Sequence, residues 1–281
     1  MSDAGRASRK SVFVERFAKP CYMWIGSFGL NPLALRYAVP GLVAALREFF
    51  ALKSQNRREG SPFRIRFTMP CLSDRYEASG TTRGHYFYQD LLVARRIFER
   101  RPERHIDVGS RVDGFVAHVA AFREVEVFDI RPLSVAIPSI VFRQADLMNM
   151  PQEFTECCDS LSCLHAIEHF GLGRYGDPID LYGHVKGFKN LGRLLKPMGM
   201  LYFSVPIGPE RIDFNANRVF AIQTILDLAS EDFELASFSY VDDEGQLVEN
   251  VSLSSPEMLN NFGCQYGCGI FEWRKKQKTS C

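Results

Sequence analysis

Residues 105–129, HIDVGSRVDGFVAHVAAFREVEVFD, hold the pattern that decides the fold. A short apolar run at 105–108 ends on Gly109, a helical stretch follows over about 113–122, and a second run at 125–128 is closed by Asp129. Extended and helical patterns keep alternating beyond it, a rhythm that predicts a parallel sheet. Strands are expected at 140–143 (IVFR, leading to Asp146), 159–163 (DSLSC), 200–205, 233–241 and near 269–274. Between them, helices are expected at 183–195, ended by Pro197 and Gly199, and near 218–229. Upstream, YQDLLVARRIFER at 88–100 reads as an amphipathic helix. The predicted architecture is α/β: a Rossmann-like open sheet of about seven mostly parallel strands with helices on both faces, plus an N-terminal helical arm.

The chain has 281 residues, 46% hydrophobic and 24% charged, which excludes disorder and collagen. It has no run of eighteen uncharged apolar residues, so no membrane-spanning helix is expected. Charges interrupt the first twenty residues, against a secretory leader, and a cytoplasmic protein is expected. The eight cysteines sit at 21, 71, 157, 158, 163, 264, 268 and 281 in a chain long enough for a full core, so no disulfide framework is needed. Their spacing matches no zinc-ligand pattern, and no metal is expected.

A net charge of +1 conceals an asymmetry. Residues 1–66 carry twelve Lys or Arg against four Asp or Glu, leaving a net −7 on the remainder. A basic arm thus precedes an acidic body. In the arm, Leu42, Ala45, Leu46, Phe49, Phe50 and Leu52 fall at helical spacing after Pro40, and QNRREGSP at 55–62 reads as a linker. The expected domains are 1–62, a basic helical arm and linker; 63–104, a cap segment and the helix leading into the sheet; and 105–281, the sheet domain. The arm's helix packs on the body or on a second subunit, or makes peripheral contact with an anionic inner-membrane surface.

Candidate binding residues follow from the strand ends. The turn after 105–108 brings backbone N–H groups near a polar ligand, although with only Gly109 and Gly114 it lacks the strict G-x-G-x-x-G dinucleotide fingerprint. Asp129, twenty residues beyond Gly109, is placed to accept both hydroxyls of a ribose. Asp146, with Leu147 and Met148 behind it, is placed to receive an adenine amine. Each aspartate could instead end a strand or cap a helix.

In order and spacing, HIDVGSRVDGF, VEVFDIRP, RQADLMNMP, CDSLSCLHAIEHFG and LLKPMGMLYFSVP resemble the successive motifs of the class I S-adenosylmethionine-dependent methyltransferases, over about residues 85–275. GHYFYQD, HIDVGSRVDGFVAHVA, VEVFDIRPL and EHFGLGRYGDP look closer still to a bacterial and nematode methyltransferase-like family of unknown function, some of it tied to surface-glycan assembly. The resemblance implies S-adenosyl-L-methionine as cofactor. It places Asp107, Gly109 and Ser110 at the methionine portion, Asp129 and Ile130 at the ribose, Asp146 and Leu147 at the adenine, and Cys163 to His165 beneath the sulfonium. Ser110, Arg111 and Val112 stand where many relatives have further glycines.

Such a donor leaves the protein to align an acceptor and remove its proton. His169, with His165 and Asp177, is the expected catalytic group. His85, Tyr86, Tyr88, Gln89, Arg174 and Tyr175 are expected to bind the acceptor, a small molecule or glycan, and His184 is expected to be structural. His165, Glu168 and His169 also spell H-x-x-E-H, the pattern of inverted zinc peptidases, but that needs a helix where Gly171 and Gly173 leave little room. The reading is O-methylation of a sugar or glycan intermediate, with an inactive scaffold in a membrane-proximal glycan-assembly complex as the alternative. No nucleic-acid partner is expected, because the acidic body repels phosphate backbones.

Overall fold

The computed structural model describes residues 34–77 and 84–277, together with 22, 25, 26, 28, 29, 31, 79, 80 and 82. Most of the basic arm before residue 34, with Cys21 and Cys281, lies outside the described residues. The chain divides into two compact units, residues 1–81 and 82–281.

The first unit is built on α1 (Ala34–Glu59). This helix starts before Pro40, not after it, and runs through most of the segment expected to be a linker. Gln, Arg and Glu are strong helix formers, so the polarity of residues 55–59 does not end it. Residues 63–76 fold back along α1. Phe67 meets Phe49 and Tyr76 meets Tyr37 with ring centroids 5.2 and 5.3 Å apart, and Arg75 pairs with Glu48 at 2.7 Å. The Leu72 carbonyl approaches Gly41 so closely that a Cβ there would lie 1.9 Å from it, so the crossing requires glycine.

The second unit is the predicted sheet. Its elements are α2 (His85–Arg100), β1 (His105–Val108), α3 (Ala117–Ala120, preceded by a π-type turn at 112–116), β2 (Val125–Asp129), β3 (Ile140–Gln144) and β4 (Cys158–Leu164). Then come α4 (Gly183–Leu194), β5 (Leu195–Ile207), the hairpin β6 (Arg211–Asp213) and β7 (Asn217–Val219), α5 (Ile222–Ala229), β8 (Phe233–Val241), β9 (Leu247–Val248) and β10 (Gly267–Lys275). The order is β3-β2-β1-β4-β5-β10-β8-β9. β1 to β5 are mutually parallel, β10 is antiparallel to both β5 and β8, and β9 is a short antiparallel edge. This is a Rossmann-like α/β sheet. The helix expected from about 218 begins at Ile222, because residues 217–219 pair with β6 instead.

Period-two alternation gives each strand two faces. On one, Ile106, Leu161, Leu201 and Phe203 pack under Phe188, Leu191 and Leu194 of α4 and Ile222 and Ile225 of α5. On the other, Val125, Val127, Tyr202 and Ile270 pack under Leu92, Val93 and Ile97 of α2 and Val119 of α3. With helices on both faces, polar groups gather where backbone is left unpaired, at the carboxyl ends of the parallel strands beside the β1–β4 switch in chain order. Among the described residues no helix is long and apolar enough to cross a membrane.

Candidate functional site

A cavity of about 450 Å³ opens at those strand ends, within the roughly 300–1,000 Å³ span of small-molecule sites. Four of the five parallel strands contribute to it: Gly109 and Ser110 after β1, Asp129 and Ile130 at β2, Asp146 and Leu147 after β3, and His165 after β4. Tyr86, Gln89 and Asp90 of α2 form one wall, and His169, Arg174 and Tyr175 another.

The floor is set by one turn. Gly109 has φ +75°, its N–H donates to the Phe128 carbonyl at 2.9 Å, and a Cβ there would lie 2.8 Å from that of Ala166. Only glycine meets both demands. Asp107, expected to line the cavity, lies fully buried beneath it. Its Oδ1 accepts from the hydroxyls of Ser110 (2.8 Å) and Ser162 (2.6 Å), and its Oδ2 from the Ser110 N–H (3.1 Å). Burial raises its pKa to about 7 against the opposing pull of those hydrogen bonds. Asp107 therefore braces the turn rather than offering itself to a ligand. Behind it the Ser162 hydroxyl also meets Nε2 of His105, whose ring burial holds neutral, with a pKa of about 3.

Asp129 and Asp146 do face the cavity. Asp129 is clamped by Arg131, which donates from its backbone N–H (2.8 Å), Nε (3.0 Å) and Nη2. The Arg131 guanidinium lies 4.8 Å from the centroid of Tyr175, and Arg174 lies 5.3 Å from it. Asp146 caps the turn 147–149, accepting from the Met148 N–H and the Asn149 amide, both at 2.8 Å. A carboxylate has about four acceptor positions, so the two capping bonds leave about two for a further donor. Asp90, absent from the sequence-based set, presents a buried carboxylate whose one hydrogen bond among the described residues comes from Gln89 at 3.0 Å. Burial raises its pKa.

Of the expected catalytic groups, His169 fits best. Its Nδ1 lies 2.6 Å from the Ala216 carbonyl, which fixes the proton on Nδ1 and leaves Nε2 as acceptor. Burial lowers its pKa and keeps the ring neutral, and Arg174, within 3.4 Å of Nε2, adds to this. His165 differs. It sits at φ +48° with Nδ1 2.8 Å from the buried Glu168 carboxylate. Burial opposes its charge, but the neighbouring Cys268 and Glu168 outweigh that and raise its pKa to about 10. A ring held as a cation is not a base. Asp177 borders the cavity, yet its oxygens accept the backbone N–H groups of Gly171 (2.7 Å), Gly173 (3.3 Å) and Tyr175 (3.2 Å), so it shapes the loop instead.

Cys163 is fully buried in the core under α4 and does not reach the cavity. Among the residues expected to bind the acceptor, Tyr86, Arg174 and Tyr175 line the cavity, while His85 and Tyr88 lie off it. Gln89 lines it with an amide already engaged by Ser204 and Asp90. His184 packs 5.6 Å from the Phe220 ring, as a structural residue would. Residues 167–169 form a single 3-10 turn, so H-x-x-E-H does not lie on a helix. Asp90 and Arg131 each stand next to a position the sequence singled out, and Glu168 was itself part of the H-x-x-E-H string. Arg218 carried no such signal: buried on β7, it donates to the carbonyls of Phe170 (2.6 Å) and Leu181 (3.2 Å) and staples the cavity loop to the body.

The family model described as "Caenorhabditis protein of unknown function, DUF268" matches residues 134–261. No curated protein matches the chain. In structure the chain is similar to the N-methyltransferase NodS of Bradyrhizobium japonicum WM9, solved with S-adenosyl-L-homocysteine, at 13% identity over 75% of this chain and 94% of that one, TM-score 0.48. It is similar to a putative sarcosine dimethylglycine methyltransferase from Galdieria sulphuraria at 14% identity over 69% and 86%, TM-score 0.47. It is also similar to the Burkholderia thailandensis 1,6-didemethyltoxoflavin-N1-methyltransferase, solved with bound 1,6-didemethyltoxoflavin and S-adenosylhomocysteine, at 13% identity over 84% of this chain and 89% of that one, TM-score 0.45.

Proposed function

We propose that this protein is an S-adenosylmethionine-dependent methyltransferase that acts on a hydroxyl of a sugar or glycan intermediate. One observation carries the reading: carboxylates at the ends of two adjacent parallel strands, Asp129 and Asp146, open into one cavity floored by the Gly109 turn. The cavity residues suit the adenosyl group. Asp129 offers oxygens to vicinal hydroxyls, Asp146 to an exocyclic amine beside apolar Leu147, and Asp90 to a cationic α-amino group. When bound, S-adenosylmethionine supplies a methyl group already activated by its sulfonium.

The protein's own task is then to seat the acceptor and take its proton. The neutral His169 ring, with Nε2 as its acceptor nitrogen, is suited to receive a hydroxyl proton. Arg174 and Tyr175 offer a cation and an aromatic face to a phosphorylated or polyhydroxylated acceptor. A methyl-transfer assay with isotopically labelled donor against nucleotide sugars and oligosaccharides tests this reading. Label in the sugar of at least one class supports it, and label only in amine acceptors contradicts the O-methylation.

One observation favours a second reading, a non-catalytic binding or scaffold protein. Arg131 already occupies the carboxylate that a ribose would need. A chain that binds no adenosyl ligand but retains glycan affinity would fit that case.

A further inference from the structure

Behind the cavity wall, three side chains distant in sequence converge: His85 at the start of α2, His165 after β4 and Cys268 on β10. Each presents a nitrogen or sulfur, and these atoms lie within 4.8 Å of one another. Among the described residues they are the one such group of three His, Cys, Asp or Glu side chains. We propose that His85, His165 and Cys268 bind a thiophilic divalent metal ion, of which zinc is the type.

The surroundings point to a ligand. Among the described residues Nε2 of His165 has no hydrogen-bond partner, although the side chain is only 4% exposed. A buried ring nitrogen left without a partner is costly, and a metal ion that displaces the proton of this ring would take up the lone pair of Nε2. The other nitrogen of each ring is already held. Nδ1 of His165 rests on Glu168 at 2.8 Å, and Nε2 of His85 on the Tyr266 carbonyl at 3.0 Å. Carboxylate and carbonyl partners on the far nitrogen are the usual supports of metal-bound histidines, fixing tautomer and ring direction.

The rings are stacked 5.0 Å apart at 16°, and metal–ligand bonds of roughly 2.0–2.3 Å require the three atoms to draw in by about an ångström. His85, half-buried in the first turn of α2, is the member free to make that movement and the side from which an ion can enter. A catalytic Cys–His pair is a poorer account, because Cys268 is fully buried and does not line the cavity. Three protein ligands leave a fourth position for water or a small ligand, as in open rather than closed zinc sites. His165 also borders the cavity, but the metal site does not depend on adenosyl binding.

Reduced, metal-stripped full-length protein should take up one equivalent of zinc in a calorimetric titration. With cobalt it should develop the sulfur-to-metal charge-transfer absorption of a thiolate ligand. Cys268→Ser should abolish that absorption, and His85→Ala, at a partly exposed position, should weaken zinc binding at least tenfold while the protein keeps its circular dichroism. Glu168→Gln should cost about 10- to 100-fold in affinity. Absence of stoichiometric zinc uptake, or unchanged affinity in both His85→Ala and Cys268→Ser, overturns the proposal.

Discussion

Arg131 holds both carboxylate oxygens of Asp129, with its Nε 3.0 Å from Oδ1, at the point where the second strand meets the cavity. A ligand that needs Asp129 must compete with this clamp. Arg131 is about 40% exposed, so solvent screens the pair and its worth is at most about 1 kcal/mol. Arg131→Met should therefore tighten S-adenosylhomocysteine binding about fivefold, and Asp129→Asn should weaken it at least tenfold. Equal weakening by both would mean that the guanidinium itself contacts the ligand. Calorimetry on the two variants decides.

His169→Ala should lower the rate of methyl transfer by about 10²–10⁴-fold and leave adenosyl binding within twofold. Burial depresses its pKa, so the basic form persists below the ordinary histidine value of about 6.5. The acidic limb of the pH–rate profile should accordingly lie under that value and vanish in the variant. A limb centred above neutrality would assign the proton to another group.

Asp107 makes stability depend on pH. Its folded-state pKa of about 7 exceeds the ordinary aspartate value of 3.8. The folded state thus holds its proton where the unfolded chain has lost it. The associated stability is full below the unfolded pKa and is lost as pH rises toward 7. Relative to Asp107→Asn, the wild type should be more stable at about pH 5 than at about pH 8 in urea denaturation. A difference that stays flat, or grows with pH, would show that the carboxylate is ionised throughout.

Gly109→Ala combines a left-handed backbone with contact on Ala166. Strain of about 1–2 kcal/mol and overpacking of about 1–3 kcal/mol predict a combined loss of about 2–5 kcal/mol. Adding Ala166→Gly relieves only the contact, so the double variant should recover part of the stability and little adenosyl affinity. Full recovery of both would remove the positive φ from the account.

The sheet was legible because its signals are local. Strand 105–108 and strand 233–241 stand where the apolar runs placed them, and Asp129 and Asp146 fall at strand ends as the turn spacing required. What escaped was tertiary. Whether Asp107 faces a ligand or braces a turn depends on Ser110 and on Ser162, which arrives from another strand. Asp177 spends its oxygens on backbone amides of its own loop, and no residue pattern distinguishes that from a base. The helical content of residues 55–59 was hidden by their polarity. Arg218 acts through carbonyls of residues 168–181, and backbone acceptors leave no trace in composition.

Titration of S-adenosylhomocysteine into the full-length protein and into Asp146→Ala, followed by calorimetry, tests the central claim most directly. One-to-one binding in the micromolar range by the wild type, weakened at least tenfold in the variant, is the predicted result. Undetectable binding by a folded wild-type protein, or equal affinity in both, would contradict an adenosyl site at these strand ends.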